Sequence, residues 1–289
     1  MIEAVAETRW SLIPLLGVLA VVHYVLEACA LRSAAGIHLP FGRTTLVQFT
    51  SAAVARITPG GVGGIAVNAR YLTVNGLAAP ASLTAATACA GGLVVGRVVV
   101  LLATVAATGD VRVLQRLIDR FADVSAHEAA RKAAAVLIPG ALLVVIIVVA
   151  LRRARRAERA RRSLRESWDA LRAIAARPAS LLGLLLSSVG VALVLAVAFG
   201  LAVLAVPGTG TTFDQLGVLI GAYLVGSAAG AAVPVPGGVG TAEAALTGTL
   251  VLLGIGTLPA LQAVLVFRLI TYWAPVPIGV LASRFALAR

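Results

Sequence analysis

A short set of ionisable side chains lies within or next to long apolar stretches of this sequence, where each charge needs a partner or a polar cavity. His23 and Glu27 are four residues apart and therefore share one helix face. A carboxylate at this spacing can hold a protonated imidazole as a proton relay. Alternatively, Glu27 marks the cytoplasmic end of a span, where its charge reaches the headgroups. The other candidates are Arg56, Arg70, Arg97, Glu243 and Arg268.

Two of these arginines flank a proline- and glycine-rich interruption, which Arg56 precedes and Arg70 follows. The planar guanidinium fork binds a pair of phosphate oxygens, so both residues suit the phosphodiester of a lipid. The alternative is that each side chain extends to an anionic inner leaflet and serves only as an anchor.

Glu243 follows Gly240 by three residues, at the predicted start of a short helix. A carboxylate there accepts hydrogen bonds from free backbone amides and is favoured by the helix dipole. The alternative is an ion pair with Arg97 or Arg268, which would exchange partners as access to the cavity alternates. The sequence is compatible with both interpretations.

The sequence lacks the common signatures of catalysis. It has no Gly-x-x-x-x-Gly-Lys-Ser phosphate loop, no His-Glu-x-x-His motif and no Ser, His and Asp set that one membrane face could assemble. We therefore expect no enzymatic activity, no cofactor and no metal. The net charge of +12 comes from arginines beside apolar spans rather than from an aromatic-rich basic platform, so we expect no nucleic-acid partner.

The composition indicates a membrane protein, because 60% of the residues are hydrophobic, 12% are charged and the mean hydropathy is +1.00. We predict an all-α polytopic membrane protein with about five full spans plus two re-entrant helical hairpins in an inverted repeat. The spans are predicted at residues 10–30, 80–109, 133–151, 179–206 and 258–283.

Two further apolar stretches, 44–76 and 214–256, are interrupted near their middles by Pro-Gly-Gly-Val-Gly, at residues 59–63 and 236–240. Proline removes a backbone donor and consecutive glycines permit tight turns, so the helix breaks at both places. Broken backbone persists at membrane depth only where protein or a water-lined cavity satisfies it. We therefore predict that both interruptions line a cavity. For either copy alone, the alternative is a simple kink or turn.

The arginine distribution sets the predicted orientation. Residues 152–178 contain ten arginines against three acids, which the positive-inside rule places in the cytoplasm. Counting outward puts the N-terminus outside and the C-terminus inside a bacterial inner (plasma) membrane. The first hairpin then enters from the cytoplasm and the second from outside. If the interruptions are instead broken full spans, the two halves become parallel copies.

This count divides one membrane domain, 1–289, into repeat half A, a connector and repeat half B. Paired broken helices in inverted repeats are typical of alternating-access transporters. Half A covers 1–109, the connector 110–178 contains the span 133–151 and the cytoplasmic segment 152–178, and half B covers 179–289.

The paired Pro-Gly-Gly motifs, Glu243 and the stretch Arg268-Leu269-Ile270-Thr271-Tyr272 resemble the transmembrane-region family of lysylphosphatidylglycerol synthase, over nearly the whole chain. The resemblance implies lipid translocation between leaflets, as in the flippase domain of the bacterial multiple peptide resistance factor. Arg97 also matches, but Gly96 stands where members often carry an acid, so a local acid–arginine pair cannot form. The family's soluble aminoacyl-transferase domain has no counterpart here, so we expect no lysyl transfer.

We therefore predict a flippase for an anionic phospholipid, an aminoacylated lipid or a polyprenyl-phosphate-linked sugar. Membrane lipids are the expected partners, with a lipid-synthesis enzyme or a glycosyltransferase as a further candidate. The alternatives are a non-transporting membrane subunit that scaffolds such an enzyme and an ion-coupled small-solute transporter. The resulting substrate-binding candidates are Arg56, Pro59, Gly60, Gly61, Gly63, Asn68, Arg70, Arg97, Pro236, Gly237, Gly238, Gly240, Glu243, Arg268 and Tyr272.

Overall fold

A computed structural model describes residues 9–108, 158–231 and 235–286. The regular elements in these ranges are all helical, which confirms the predicted all-α class. The predicted span 133–151 and both chain ends lie outside the described residues. The helices are α1 (Leu12–Ala35), α2 (Phe41–Ile57), α3 (Val62–Val74), α4 (Ala79–Thr108), α5 (Glu158–Ala175), α6 (Pro178–Ala205), α7 (Leu216–Ala231), α8 (Thr241–Leu252), α9 (Thr257–Arg268) and α10 (Pro275–Ala286).

Among the described residues, five helical segments are long and apolar enough to cross a bilayer, so the chain is a multi-pass membrane protein. Four coincide with predicted spans: Leu12–Ala35, Ala79–Ala107, Pro178–Ala205 and Thr257–Arg284. The fifth, Phe213–Ala231, has 19 residues and forms the first arm of the predicted second hairpin. This arm is long enough to cross the bilayer completely, whereas a re-entrant arm would turn back inside it. The re-entrant form of the second hairpin therefore remains a prediction.

The first interrupted stretch folds as a helical hairpin in which α2 and α3 pack against each other on either side of a turn at Pro59–Gly61, the first tip. Polar side chains tie the two arms together along their length. Three hydrogen bonds do this: Ser51 Oγ to the Gly64 carbonyl at 3.0 Å, Gln48 Nε2 to Asn68 Oδ1 at 3.3 Å, and a 3.0 Å contact between the hydroxyls of Thr44 and Tyr71.

The second interrupted stretch forms another hairpin, in which α7 packs against α8 beside a turn at Pro236–Gly238, the second tip. Glycines on α7 let the arms approach closely. A Cβ added to Gly230 would lie 2.8 Å from Cα of Ala242, and one added to Gly226 would lie 2.9 Å from Oγ1 of Thr249. Small residues at such contacts are the usual means of packing helices tightly in membranes.

The two tips have the same backbone conformation. Gly60 and Gly61 have φ of 63° and 70°, and Gly237 and Gly238 have φ of 65° and 58°. This left-handed region is costly for residues with a side chain, so the repeated glycine pair is a conformational requirement. The two tips also contact each other, although about 175 residues separate them in the chain.

Helices from the two predicted halves pack against each other. Helix α1 packs against α6, the first span of predicted half B. The first arm α2 packs against α10 of the second half, and the first arm α7 packs against α4 of the first half. Where α4 crosses α6, a Cβ on Gly96 would lie 2.5 Å from the carbonyl oxygen of Ser188, so the two backbones are in direct contact.

Helix α5 covers most of the predicted cytoplasmic segment and packs against α4 and α6. Trp168 is exposed, and the guanidinium of Arg172 stacks over its ring at 5.2 Å. Just after the helix, Nη1 of Arg177 donates to the carbonyl of Gly36 at 2.9 Å. This contact ties the connector to the C-terminal end of α1.

Candidate functional site

A cavity of about 530 Å³ lies between helices of the two predicted halves, and both tips line it. Helices α1, α2, α3, α4, α6, α7, α8 and α9 contribute to its wall, together with the π-helical turn Leu269–Trp273. The breaks in the two hairpins therefore place backbone at a polar cavity, which is where unpaired amides and carbonyls can find partners.

Nine of the fifteen predicted site residues line this cavity, while Gly63, Arg70, Gly240 and Glu243 do not. Gly63 packs against Val54 and Thr58, and Arg70 is exposed on α3. Gly240 and Glu243 lie beside the second tip without lining the cavity. Pro59 and Pro236 begin the two tips. The predicted residues that line it are Arg56, Gly60, Gly61, Asn68, Arg97, Gly237, Gly238, Arg268 and Tyr272.

Glu243 makes both of the contacts that the sequence left as alternatives. One carboxylate oxygen, Oε2, accepts a hydrogen bond from the backbone amide of Gly240 at 2.7 Å, which caps the start of α8. The other, Oε1, lies 3.0 Å from Nε of Arg268. That contact is an ion pair rather than an aligned hydrogen bond, because the Nε–H does not point at the oxygen.

The two terminal nitrogens of Arg268 donate hydrogen bonds to backbone carbonyls of the second tip. Nη2 donates to the carbonyl of Gly237 at 3.1 Å, and Nη1 is 3.4 Å from the carbonyl of Gly238. The hydroxyl of Tyr272 also donates to the Gly237 carbonyl. Arg268 and Tyr272 reach the same turn because they are four residues apart, at a local π-helical widening of the last span.

Arg56 approaches the same centre from the first hairpin. Its Nη2 donates to the hydroxyl of Tyr24 at 3.1 Å, and its guanidinium lies 4.1 Å from the ring centroid of Tyr272. Arg268 stacks on that same ring at 4.2 Å. Nε and Nη1 of Arg56 are buried and have no hydrogen-bond partner among the described residues. Two of its three nitrogens therefore remain available for an acceptor in the cavity.

The first-half wall carries a second guanidinium with unused donors. Nε of Arg97 is buried without a hydrogen-bond partner in the described part of the chain. Nearby on α1, Nε2 of His23 lies 3.6 Å from Oε1 of Glu27, while Nδ1 of His23 is buried and unpaired. The sequence prediction that His23 and Glu27 share one helix face is therefore confirmed, and both line the cavity.

Several neutral cavity residues were missed by sequence reasoning. Tyr24 and Tyr223 both line the wall, and Tyr24 is a direct partner of Arg56. A single tyrosine in an apolar span gives little signal, since its ring packs as well as any other aromatic ring. The position of Tyr24 next to His23, on a span with ionisable groups, is the one cue that the sequence offered.

The arrangement favours an anionic ligand. Three guanidiniums line one cavity, and only Arg268 has a carboxylate within ion-pair distance among the described residues. Buried cationic groups with unused donors are costly at membrane depth, and a phosphate offers oxygens that satisfy several at once.

One comparison with known proteins identifies the family. The model of the lysylphosphatidylglycerol synthase transmembrane region matches residues 1–279. A search of curated proteins finds no match.

Proposed function

Because this chain belongs to the lysylphosphatidylglycerol synthase transmembrane-region family, whose membership indicates a function related to membrane lipids, we propose that it translocates a phosphate-bearing lipid between leaflets. The observation that carries the proposal is the meeting of the two tips at a cavity lined by Arg56, Arg97 and Arg268. A charged headgroup cannot cross hydrocarbon unaided, so a protein that moves it needs such a polar path near mid-membrane.

The geometry of the hairpins supports an inverted repeat. The tips touch, whereas among the described residues the arms of one hairpin do not pack along the arms of the other. Two hairpins that enter from the same side would lie side by side, while two that enter from opposite sides meet end to end. The reciprocal packing of the first arms, α2 on α10 and α7 on α4, fits a two-fold relation between the halves, and the end-to-end tips are what favours an inverted one.

In this mechanism the cavity opens first to one leaflet and then to the other, while the headgroup stays on the arginines. The lipid tails remain in the bilayer. The contacts of Arg268 and Tyr272 with Gly237 hold the second tip in this state, and we propose that the ion pair between Glu243 and Arg268 changes when access alternates. No covalent step is involved, and we propose that the chain is not an enzyme.

Reconstitution tests the proposal. Purified protein in liposomes with headgroup-labelled anionic phospholipid should carry label from one leaflet to the other faster than protein-free vesicles. Arg56→Gln should slow this at least about tenfold, since it removes a charge-assisted contact with phosphate. Arg284→Gln, at an exposed position near the end of α10, should transport like the wild type. Wild-type protein that moves no lipid would disprove the proposal.

The same preparation separates the alternatives. Movement of ions or small solutes without lipid would favour a solute transporter. A lipid-synthesis enzyme or glycosyltransferase that co-purifies with a chain inactive in both assays would favour a scaffold.

A further inference from the structure

We propose that the cavity selects lipids whose headgroup is a phosphodiester with uncharged polar groups and therefore has a net negative charge. The cavity discriminates against zwitterionic and cationic headgroups. This inference rests on the proposed function and names the substrate class of the same site. It follows from three guanidiniums facing one cavity whose wall, in the described part of the chain, contains a single carboxylate.

The charges near the cavity do not balance. Arg56, Arg97 and Arg268 line it, and Glu27 is the one lining carboxylate among the described residues. Glu243, just outside the wall, is committed to Arg268 and to the amide of Gly240. Even when both carboxylates are counted, three positive groups face two negative ones. The surplus is one positive charge with His23 neutral and two with His23 protonated, so its sign does not depend on that histidine.

The uncompensated positive charge lies on the side of the cavity formed by predicted half A. Arg268 is neutralised by Glu243 at 3.0 Å. Arg56 contacts the neutral groups Tyr24 and Tyr272 and keeps two buried, unpaired nitrogens, and Arg97 keeps one. Both arginines have no carboxylate within ion-pair distance among the described residues. A phosphodiester in the cavity would accept hydrogen bonds from these unpaired nitrogens and supply the missing negative charge.

The packing of α4 excludes an acidic side chain at the position before Arg97. The residue before Arg97 is Gly96, and a Cβ there would lie 2.5 Å from the backbone carbonyl of Ser188. An acidic side chain at this position would force α4 away from α6. The second half neutralises its arginine with Glu243, whereas the first half leaves this place to a ligand.

The wall also carries neutral polar side chains that can bind the hydroxyls of a headgroup. Gln48, Ser51 and Asn68 from the first hairpin and Ser227 from α7 all line the cavity. These amides and hydroxyls both donate and accept, so they can bind an uncharged polyol headgroup. A lysylated phospholipid, with a net positive charge, would instead add to the surplus beside Arg56 and Arg97.

Lipid retention tests the charge selection separately from transport. Detergent-purified protein would be exposed to equal amounts of phosphatidylglycerol, phosphatidylethanolamine and lysyl-phosphatidylglycerol, and the bound lipid would be quantified by native mass spectrometry. Phosphatidylglycerol should bind at least about tenfold more tightly than either of the others, because like-charge or uncompensated contacts in a desolvated site are strongly unfavourable. Equal retention of all three lipids, preference for the lysylated lipid, or no retention of any would overturn the inference.

A charge-balancing variant sharpens the test. Leu93 lines the cavity one helical turn before Arg97, so Leu93→Glu places a carboxylate at the spacing that pairs with that guanidinium. The variant should lose most of the preference for phosphatidylglycerol. Leu93→Gln adds the same polar bulk without the charge and isolates its effect. If the two variants retain the three lipids in the same ratio, charge at Arg97 does not set selectivity and the inference fails.

Arg97→Gln covers the case in which both Leu93 variants misfold, because it lowers the surplus positive charge without adding bulk. It should weaken the same preference for phosphatidylglycerol.

The transport assay distinguishes charge selection from translocation. Wild-type protein that retains phosphatidylglycerol selectively but moves no lipid leaves the charge selection standing and defeats translocation. Protein that moves all three lipids at equal rates supports translocation and defeats the selection.

Discussion

The carboxylate of Glu243 links the start of α8 to the last span. One oxygen caps α8 at Gly240, and the other pairs with Arg268 at 3.0 Å. Arg268 in turn donates to the carbonyls of the second tip. One acid therefore fixes the position of the arginine that satisfies the broken backbone. The pair is largely buried, with side-chain exposures of 17% for Glu243 and 5% for Arg268, so it is screened much less than a surface pair.

Replacing one partner of this pair should be more damaging than replacing both. Glu243→Gln leaves the Arg268 charge buried without a counter-charge, which costs about 3–5 kcal/mol in comparable sites. We expect a clearly lower melting temperature in detergent. The double variant Glu243→Gln with Arg268→Gln should recover part of the loss, because no lone charge is then left. Equal melting temperatures of the single variant and the wild type would contradict the importance of the ion pair.

The contact between α4 and α6 predicts a strong dependence on the size of residue 96. Gly96→Ala introduces a Cβ only 2.5 Å from the Ser188 backbone, so the helices must separate, at a cost of about 1–3 kcal/mol or more. Gly91→Ala on the same helix is a matched control, because its Cβ would meet no atom within 4 Å. Thermal unfolding of the two variants should rank Gly96→Ala well below Gly91→Ala, and the reverse order would show that the close approach is not tight.

The two tips should differ in their tolerance of a side chain even though they share one conformation. Gly60→Ala and Gly237→Ala both place a side chain at positive φ, which costs about 1 kcal/mol. Only at Gly237 would the new Cβ also approach other groups, namely the Arg56 carbonyl at 2.9 Å and the Tyr272 hydroxyl at 3.0 Å, whereas at Gly60 the space is open. Melting curves should therefore show the larger loss for Gly237→Ala. Similar losses would mean that backbone strain alone matters.

The ring and the hydroxyl of Tyr272 can be separated by substitution. Tyr272→Phe removes the hydrogen bond to the Gly237 carbonyl but keeps a ring for Arg56 and Arg268, so we expect a loss of about 1 kcal/mol. Tyr272→Leu also removes both cation–π contacts and should destabilise the protein further. Unfolding at increasing denaturant concentration would measure both losses of stability. Tyr71→Phe, in the first hairpin, is a control that removes only a hydroxyl. A Phe variant as damaging as the Leu variant would assign the whole effect to the hydroxyl.

The sequence by itself determined the features that depend on local chemistry. Apolar length gave four of the candidate spans among the described residues, and proline followed by two glycines breaks a helix, so both tips were predicted at the correct residues. Spacing along one helix also placed His23 beside Glu27 and Glu243 within reach of the Gly240 amide. Each of these relations spans only a few residues, which is why sequence spacing is enough to predict it.

Only the tertiary structure decided which distant groups meet. Glu243 pairs with Arg268 rather than Arg97, Arg70 lies outside the cavity that Arg56 lines, and Tyr24 of the first span hydrogen-bonds Arg56. These outcomes depend on the packing of helices far apart in the chain, and Gly96 against Ser188 helps to set that packing. An arginine in an apolar segment must find a partner, but its sequence neighbourhood does not identify which one, because the partner is brought by another helix.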